Sequence, residues 1–363
     1  MRLDRHLWSR LAMPLIMFAL LCYASWAYCH LLCYREIYRK FGHKSTAVGL
    51  MCGEVVLVIL VVSIWVQLFA LGPGKQPKIL PFRILPDGAG TDTEEGDGKN
   101  LSLEIPDTII PPEIYQCDPQ GYPLWCTACK SIKANRTHHS STLGYCVPRF
   151  DHYCMWIGTV VGRKNYRLFV QFALYLWCFC ILVIASTASF LSRIIASRQT
   201  IPRVNPNILI TFGLCCMATL MVGPLFMSHS YYMAVNLTSL EVIATKRRSK
   251  ATKNWLCFLN PVDGLRYVFE FKAVDAQNYW DKKDILVNLK EFMGTSYWRW
   301  FLPVGANVSY HSPKTFEFED VLGSYNEIIS DRLRELLMDK ISKGEYLATF
   351  RAEGDKFQSG SYE

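Results

Sequence analysis

The sequence predicts an all-α polytopic membrane protein, with four transmembrane helices and a cysteine-rich cytoplasmic domain between the second and third helices. The chain has 363 residues, of which 51% are hydrophobic. The apolar residues gather in four blocks, each long enough for a helix to cross the hydrocarbon core, which takes about 20 residues. Most cysteines outside these blocks lie in one cluster between Cys117 and Cys154.

The N-terminal part is predicted to be a short cytoplasmic segment, residues 1–10, followed by two spans at residues 11–33 and 48–71. The first block is too long for a secretory signal peptide, and its aromatic-rich C-terminal half lacks a small-residue cleavage site. We therefore interpret it as a span that is kept in the mature protein.

The segment after the second span, residues 72–110, is predicted to be a linker that contains a disordered acidic insert. Within it, the stretch PDGAGTDTEEGDGKN (residues 86–100) is rich in glycine and acidic residues and has almost no apolar side chains. Such a stretch cannot bury enough surface to offset the entropy lost on ordering.

Residues 111–167 are predicted to form a cysteine-rich domain that binds zinc. Two cysteines two residues apart, Cys126 and Cys129, are the usual grip on a tetrahedral ion. Cys146 supplies a third ligand, and His138 or His139 supplies the fourth. Four protein ligands leave no open position, so the zinc is expected to be structural. A redox CxxC motif or unligated thiols are the alternatives, but no βαβ pattern surrounds Cys126.

The C-terminal half is predicted to contain two further spans, residues 168–191 and 207–233, and a cytoplasmic region, residues 234–363. The basic run TKRRSKATK after the fourth span and the N-terminal arginines favour cytoplasmic termini. The basic loop after the first span favours the opposite orientation, so charge alone leaves the orientation open.

The C-terminal region contains aromatic and basic stretches at residues 260–271 and 278–303. They either lie against the membrane surface or form the core of a small domain. Residues 319–342 have apolar side chains at helical spacing and are predicted to form an amphipathic helix.

Glu54 in the second apolar block and His229 in the fourth are ionisable. Ionisable residues within a membrane are functional candidates by default. Both lie near the ends of their blocks, so snorkelling to the interface is the favoured interpretation.

The stretch RFDHYCMWIG, residues 149–158, places an acid, a histidine and a cysteine within four positions, shortly before the third span. The thiolate is the reactive form of cysteine, and a neighbouring histidine can remove its proton. An aspartate can orient that histidine, as in other nucleophilic triads. Asp151, His152 and Cys154 are therefore candidate catalytic residues, although Cys154 could also be a packed thiol near the membrane.

The spacing of these residues resembles the DHHC family of protein S-acyltransferases, the palmitoyltransferases, which move fatty acyl groups from acyl-CoA to protein cysteines. In that family a CxxC pair and further zinc ligands precede an Asp-His-x-Cys signature and a membrane span. The Asp-His-Tyr-Cys spelling is known from fungal members. The register holds without a gap, and the matching positions are Cys126, Cys129, His139, Cys146, Asp151, His152, Cys154, Trp156, Gly162, Asn165 and Phe169.

The resemblance implies a ping-pong reaction in which Cys154 takes the acyl group from palmitoyl-CoA and passes it to a substrate cysteine. His152 would act as the base and Asp151 would orient it. The zinc ligands would be Cys126, Cys129, His139 and Cys146, which selects His139 over His138.

The implied partners are acyl-CoA, the lipid bilayer and substrate proteins with cytoplasmic cysteines near the membrane. A need for CoA and for reduced thiols places the active site on the cytoplasmic face. Nucleic acid is excluded as a partner, because the basic residues form no stripe interleaved with aromatics. The basic residues around Cys154 either attract CoA phosphates or anchor the adjacent span; they are Arg149, Arg163, Lys164 and Arg167.

Three further segments resemble family motifs outside the cluster: LGPGK after the second span, NLTSLE (residues 236–241) after the fourth, and NPVDGLRYVFEF (residues 260–271). The chain departs from the family in its second zinc site, where every ligand position is changed. Those positions are Ser140, Leu143, Tyr153 and Val160. We therefore predict one structural zinc ion per chain.

Two other functions are compatible with the sequence. A membrane scaffold or adaptor could keep the zinc-bound fold with weak or no catalysis. A zinc transporter would need polar ligands within the spans, and these are sparse apart from His30 and His229.

Overall fold

The fold, described from a computed structural model, comprises two units that are each built from separate parts of the chain. The structure describes residues 5–82, 108–196, 204–247, 253–272, 279–306, 308, 313–315 and 317–351. The acidic insert predicted at residues 86–100 lies outside these ranges. The first unit comprises Met1–Pro73, His152–Ala234 and Lys290–Asn307, and the second comprises Gly74–Asp151, Val235–Leu289 and Val308–Glu363.

Among the residues that the structure describes, the first unit contains four helices that are long and apolar enough to cross a membrane, with mean hydropathies from 1.7 to 2.6 over their most apolar windows. A helix satisfies its own backbone hydrogen bonds, which a lipid environment requires. The four helices are α1 (Arg5–Trp26), which continues as a π-helical segment (Ala27–Lys40), α2 (Lys44–Leu71), α3 (Tyr166–Ala196) and α4 (Pro206–Ala234). The prediction of four transmembrane helices is confirmed to that extent.

Glu54 and His229, the ionisable side chains that the sequence analysis identified within the apolar blocks, are both buried. The Glu54 side chain is 0% exposed and accepts a hydrogen bond of 3.1 Å from the Cys29 thiol. His229 is 3% exposed, and its Nδ1 atom lies 2.8 Å from the hydroxyl of Tyr166. The interpretation that both residues snorkel to the interface is therefore wrong, because each has a polar partner within the helix bundle.

The second unit is organised around a four-stranded antiparallel sheet with the strand order β1-β8-β9-β10. Its strands are β1 (Ile114–Cys117), β8 (Lys253–Leu259), β9 (Arg266–Lys272) and β10 (Ala348–Phe350). Side chains along β8 alternate between two apolar clusters, because successive residues of a strand point to opposite faces. Cys257 belongs to one cluster, and Leu256 and Phe258 belong to the other.

The cysteine-rich segment folds as three short antiparallel β-hairpins. They pair β2 (Trp125–Cys126) with β3 (Ser131–Ile132), β4 (His138–Ser140) with β5 (Tyr145–Val147), and β6 (His152–Cys154) with β7 (Thr159–Val161). The prediction of an all-α protein is therefore not confirmed, because the segments outside the four long helices contain a four-stranded sheet and three hairpins. Strands of two or three residues are too short to give a readable periodicity.

The C-terminal region adds short helices to these elements. They are α5 (Ser239–Arg247), α6 (Ile285–Met293), a 3₁₀ turn (Tyr297–Trp300), α7 (Phe318–Leu322) with a second 3₁₀ turn (Gly323–Tyr325), and α8 (Asp331–Ser342). The single helix predicted at residues 319–342 is thus two helices. Gly323 interrupts it at a φ of 50°, which favours glycine. Leu333 and Leu337 of α8 pack into the same cluster as Leu256 and Phe258.

Candidate active site

The four predicted zinc ligands lie together in the second unit. Cys126 ends β2, Cys129 lies in the turn that follows it, and His139 faces Cys146 across the β4–β5 pair. Their ligand atoms all lie within 4.8 Å of one another. The Nδ1 atom of His139 is 3.5, 3.3 and 3.9 Å from the sulfurs of Cys126, Cys129 and Cys146.

These distances fit a tetrahedral zinc ion. With Zn–S and Zn–N bonds of about 2.3 and 2.05 Å, the nitrogen and sulfur corners of a tetrahedron lie about 3.6 Å apart. Burial disfavours the thiolate of Cys126, but hydrogen bonds from the backbone N–H of Cys129 and from neighbouring thiols lower the pKa of Cys126 overall, whereas burial and the neighbouring thiols raise the pKa of Cys146. A metal ligand requires this ionised form. His138 is exposed and packs against Phe150, outside the cluster.

Cys154 lies on the β6–β7 hairpin of the first unit, on the same strand as His152. Residues two apart on a strand point to the same face, so His152 and Cys154 share one face while Tyr153 points to the other. Cys154 is 7% exposed, whereas Tyr153 is 36% exposed. The strand thus presents the sulfur and the imidazole together and directs the tyrosine away from them.

The turn of this hairpin packs closely against α1 and α2. Gly158 has a φ of 68°, and a Cβ atom there would lie 2.4 Å from the Arg10 carbonyl oxygen and 3.1 Å from Phe69. Neither the backbone conformation nor the space allows a side chain at this position. The absence of a side chain at Gly158 therefore lets the hairpin that carries Cys154 approach the helix bundle.

Asn165 joins the hairpin to the start of α3. Its side-chain oxygen accepts a hydrogen bond of 2.9 Å from the Gly162 N–H, and its amide nitrogen donates one of 2.9 Å to the Val160 carbonyl. Its own carbonyl accepts a hydrogen bond from the Phe169 N–H at 3.0 Å. The Gly-x-x-Asn-x-x-x-Phe run thus connects β7 with the first turn of the helix.

The imidazole of His152 is surrounded by rings from α3 and α4. Phe169 packs edge-on against it, with ring centroids 5.3 Å apart, and the ring of His229 lies 5.6 Å away. The Tyr166 hydroxyl is hydrogen-bonded to His229. The sequence identified His229 only as an ionisable residue within a span, and no spacing signal identified Tyr166.

Asp151 lies in the second unit, where its carboxylate is held by the first residue of α5. It accepts hydrogen bonds of 2.7 Å from both the backbone N–H and the hydroxyl of Ser239, and it is 1% exposed. Both groups donate to the carboxylate, so the two hydrogen bonds fix its position. Ser239 belongs to the NLTSLE segment, so this segment contacts the aspartate of the Asp-His-x-Cys signature.

The second unit also contains a network of arginine and glutamate side chains, which the sequence did not predict. Arg149 donates two hydrogen bonds, of 2.8 and 2.5 Å, to the two carboxylate oxygens of Glu327. Arg136 lies 3.5 Å from the same carboxylate and donates to Glu241 at 2.8 and 2.6 Å. It also donates to the side chain of Asn236 at 2.9 Å.

The network changes the interpretation of the basic residues that flank Cys154. Arg149 was expected to attract CoA phosphates or to anchor the adjacent span. Its side chain is 1% exposed and is paired with Glu327, so both expectations are wrong for Arg149. The guanidinium instead links the segment before Asp151 to the C-terminal region.

Arg167 also has an internal role, within the first unit. It donates hydrogen bonds of 2.9 Å to the carbonyls of Val304 and Gly305, and Gln171 donates to the Arg299 carbonyl at 2.8 Å. These contacts hold residues 297–305 against α3. The side chains of that segment include Trp298, which is 53% exposed.

Comparison of the amino-acid sequence with known proteins identifies its family. The family described as "DHHC palmitoyltransferase" matches residues 120–246. The chain is 43% identical to "Palmitoyltransferase PFA5" of Saccharomyces cerevisiae, covering 98% of this chain and 96% of that protein. It is 42% identical to the protein of the same name from Kluyveromyces lactis, covering 96% and 97%. The corresponding protein from Eremothecium gossypii is 40% identical, covering 98% of both chains. The chain therefore belongs to the DHHC palmitoyltransferase family.

Proposed function

We propose that this palmitoyltransferase carries its acyl group on Cys154 and uses His152 as its base. The observation that carries this proposal is the shared face of β6, on which the sulfur and the imidazole are two residues apart. A base must lie within reach of the proton that it removes, and residues two apart on a strand project side by side from the same face.

In the first half of the proposed reaction, His152 removes the proton of the Cys154 thiol. The thiolate attacks the thioester carbonyl of palmitoyl-CoA, a new S–C bond forms and the CoA sulfur leaves. The proton held by His152 passes to the CoA thiolate. One thioester replaces another, so the step needs no further source of energy.

In the second half, His152 removes the proton from a cysteine thiol of the substrate protein. That thiolate attacks the acyl group on Cys154, and Cys154 leaves as a thiolate that takes the proton back from His152. The products are a palmitoylated protein and the free enzyme. The substrates that fit are proteins with cytoplasmic cysteines near the membrane.

Asp151 would orient His152 and stabilise its charged form, as the acid does in other nucleophilic triads. Ser239 supports this role, because its two hydrogen bonds hold the Asp151 carboxylate in one position. Ser239 is therefore a positioning residue, which acts on the reaction through Asp151.

A structural zinc ion, held by Cys126, Cys129, His139 and Cys146, would cross-link the β2–β3 and β4–β5 hairpins. Bound zinc supplies folding energy to a segment with little apolar core of its own. We propose one ion per chain. Tyr153 faces Val160 across the third hairpin, and the hydroxyl of Ser140 accepts a hydrogen bond from the Leu143 N–H. By the resemblance, these four sequence positions correspond to the family's second set of zinc ligands.

We further propose the domain division given by the sequence, with residues 111–167 as the zinc-binding catalytic domain. In this arrangement the active site and both termini face the cytoplasm, where acyl-CoA and reduced thiols are available. The basic runs after α4 and at the N-terminus agree with that orientation.

Acyl labelling of the purified full-length protein tests the proposal. We expect wild-type protein incubated with an alkyne analogue of palmitoyl-CoA to acquire a label that neutral hydroxylamine removes, because hydroxylamine cleaves thioesters. Cys154→Ser should lose this label, whereas the control Cys216→Ser should keep it.

Undiminished, hydroxylamine-sensitive labelling of Cys154→Ser would refute Cys154 as the acyl carrier. A wild-type protein that takes up no label and palmitoylates no substrate would support the scaffold interpretation.

A further inference from the structure

We propose that His229 and Tyr166 are positioning residues for the base, and that their hydrogen bond fixes the imidazole of His152. This inference rests on the proposed role of His152. It assigns a role to the two buried polar side chains that α3 and α4 place beside the reactive hairpin, and that the acyl-transfer steps do not otherwise use.

The first step concerns the protonation of His229. Tyr166 and His229 are 1% and 3% exposed, and the phenol oxygen lies 2.8 Å from Nδ1 of the imidazole. A neutral imidazole has one acceptor and one donor nitrogen. We assign the phenol as the donor, since imidazole nitrogen is the better acceptor of the two groups. His229 then carries its proton on Nε2.

The second step concerns the orientation of the His229 ring. It packs against Phe169 with centroids 4.9 Å apart and against Tyr232 of its own helix at 5.5 Å. Tyr166 in turn packs against Phe292 at 4.7 Å. With apolar rings on its sides and a hydrogen bond at Nδ1, the imidazole of His229 is held in a single orientation.

The third step connects this fixed ring to the base. The rings of His152 and His229 lie 5.6 Å apart at an angle of 42°, and Phe169 contacts both. The His229 ring, with its proton assigned to Nε2, therefore lies beside the imidazole of His152 in one orientation. A general base works only when the correct nitrogen faces the proton to be removed. The pair thus favours the tautomer and orientation in which His152 serves Cys154.

The arrangement predicts different effects for different substitutions. His229→Phe keeps a ring of similar size but removes both nitrogens, while His229→Gln keeps one donor and one acceptor. Tyr166→Phe removes only the hydroxyl that sets the tautomer. Tyr232→Phe is the matched control, because Tyr232 contacts His229 through its ring and its substitution leaves that contact in place.

The experiment measures the initial rate of Cys154 acylation by the full-length protein in detergent, as a function of pH. We expect His229→Phe to lower the rate about tenfold, a part of the 10²–10⁴-fold that general-base catalysis supplies. Its pH–rate profile should also shift, because the substitution removes a polar ring that lies beside the proposed base. Tyr166→Phe should shift the profile in the same direction by a smaller amount, and His229→Gln should restore most of the rate.

The inference is overturned if His229→Phe has the wild-type rate and profile. It is also overturned if the rate falls only in proportion to the folded fraction, with the pH profile unchanged, since that outcome describes packing alone. Cys154→Ser is assayed in parallel. Labelling that survives in Cys154→Ser refutes the proposed acyl carrier, whereas loss in Cys154→Ser with no effect of His229→Phe refutes only the positioning role.

Discussion

Replacing Glu327 with glutamine removes one charge from the buried network that joins Arg149 and Arg136. All three side chains are at most 2% exposed. In the wild-type protein, Glu327 and Glu241 balance the two guanidinium groups. Glu327→Gln removes one of these negative charges from beside two guanidinium groups whose side chains are each 1% exposed.

The expected loss of stability follows from this burial. Breaking a buried ion pair by removing one partner costs about 3–5 kcal/mol, because the remaining charge stays desolvated. The glutamine side-chain oxygen still accepts one hydrogen bond from Arg149, so we expect about 3 kcal/mol, at the lower end of that range.

Denaturant unfolding of the full-length protein in detergent, followed by tryptophan fluorescence, measures this loss. Glu113→Gln is the matched control. Glu113 pairs with Arg334 at 2.9 Å, but these side chains are 40% and 45% exposed. Exposed pairs of this kind contribute about 0–1 kcal/mol. The reasoning is refuted if Glu327→Gln is no more destabilising than Glu113→Gln.

Two further predictions concern the ion and the acid. Metal analysis of the purified wild-type protein should give one zinc per chain, and Cys129→Ser should lower both the zinc content and the thermal stability; a stoichiometry of two would contradict the proposed loss of the second site. Ser239→Ala should slow acylation of Cys154 about tenfold, in proportion to a charge-assisted hydrogen bond of about 1.5 kcal/mol, while Ser239→Thr, which keeps the hydroxyl, should retain most of the rate. Equal rates for Ser239→Ala and wild type would show that Asp151 does not depend on this contact.

The helices were predictable because their signal is local. A run of about 20 apolar residues has few alternative structures, so the spans could be identified without knowledge of their neighbours. The Cys/His cluster that could hold a metal ion was predictable for the same reason, since Cys126 to Cys146 is a short segment and a metal constrains ligand spacing.

The strands of the second unit's sheet were not predicted, because apolar and polar residues do not alternate along them in the sequence. The neighbours Leu256, Cys257 and Phe258 are all buried, since apolar clusters cover both faces of β8. A strand buried on both faces reads as a continuous apolar run and lacks the polar face that identifies a strand in a sequence.

The contacts around the site were missed because they join distant parts of the chain. Arg149 and Glu327 are 178 residues apart, and Tyr166 and His229 are 63 apart. Spacing in the sequence carries no information about such pairs. The basic residues beside Cys154 were therefore interpreted by their charge alone, whereas Arg149 and Arg167 are both engaged inside the protein.

The β6–β7 hairpin is attached to the helices at two places: Asn165 joins it to the first turn of α3, and the turn at Gly158 packs against α1. These attachments fix the position of the Cys154 sulfur relative to the helices. The sulfur therefore cannot move toward a substrate thiol. With Cys154 as the proposed acyl carrier, a substrate thiol has to reach this position, so we expect acylation to depend on the length of chain between the thiol and its membrane anchor.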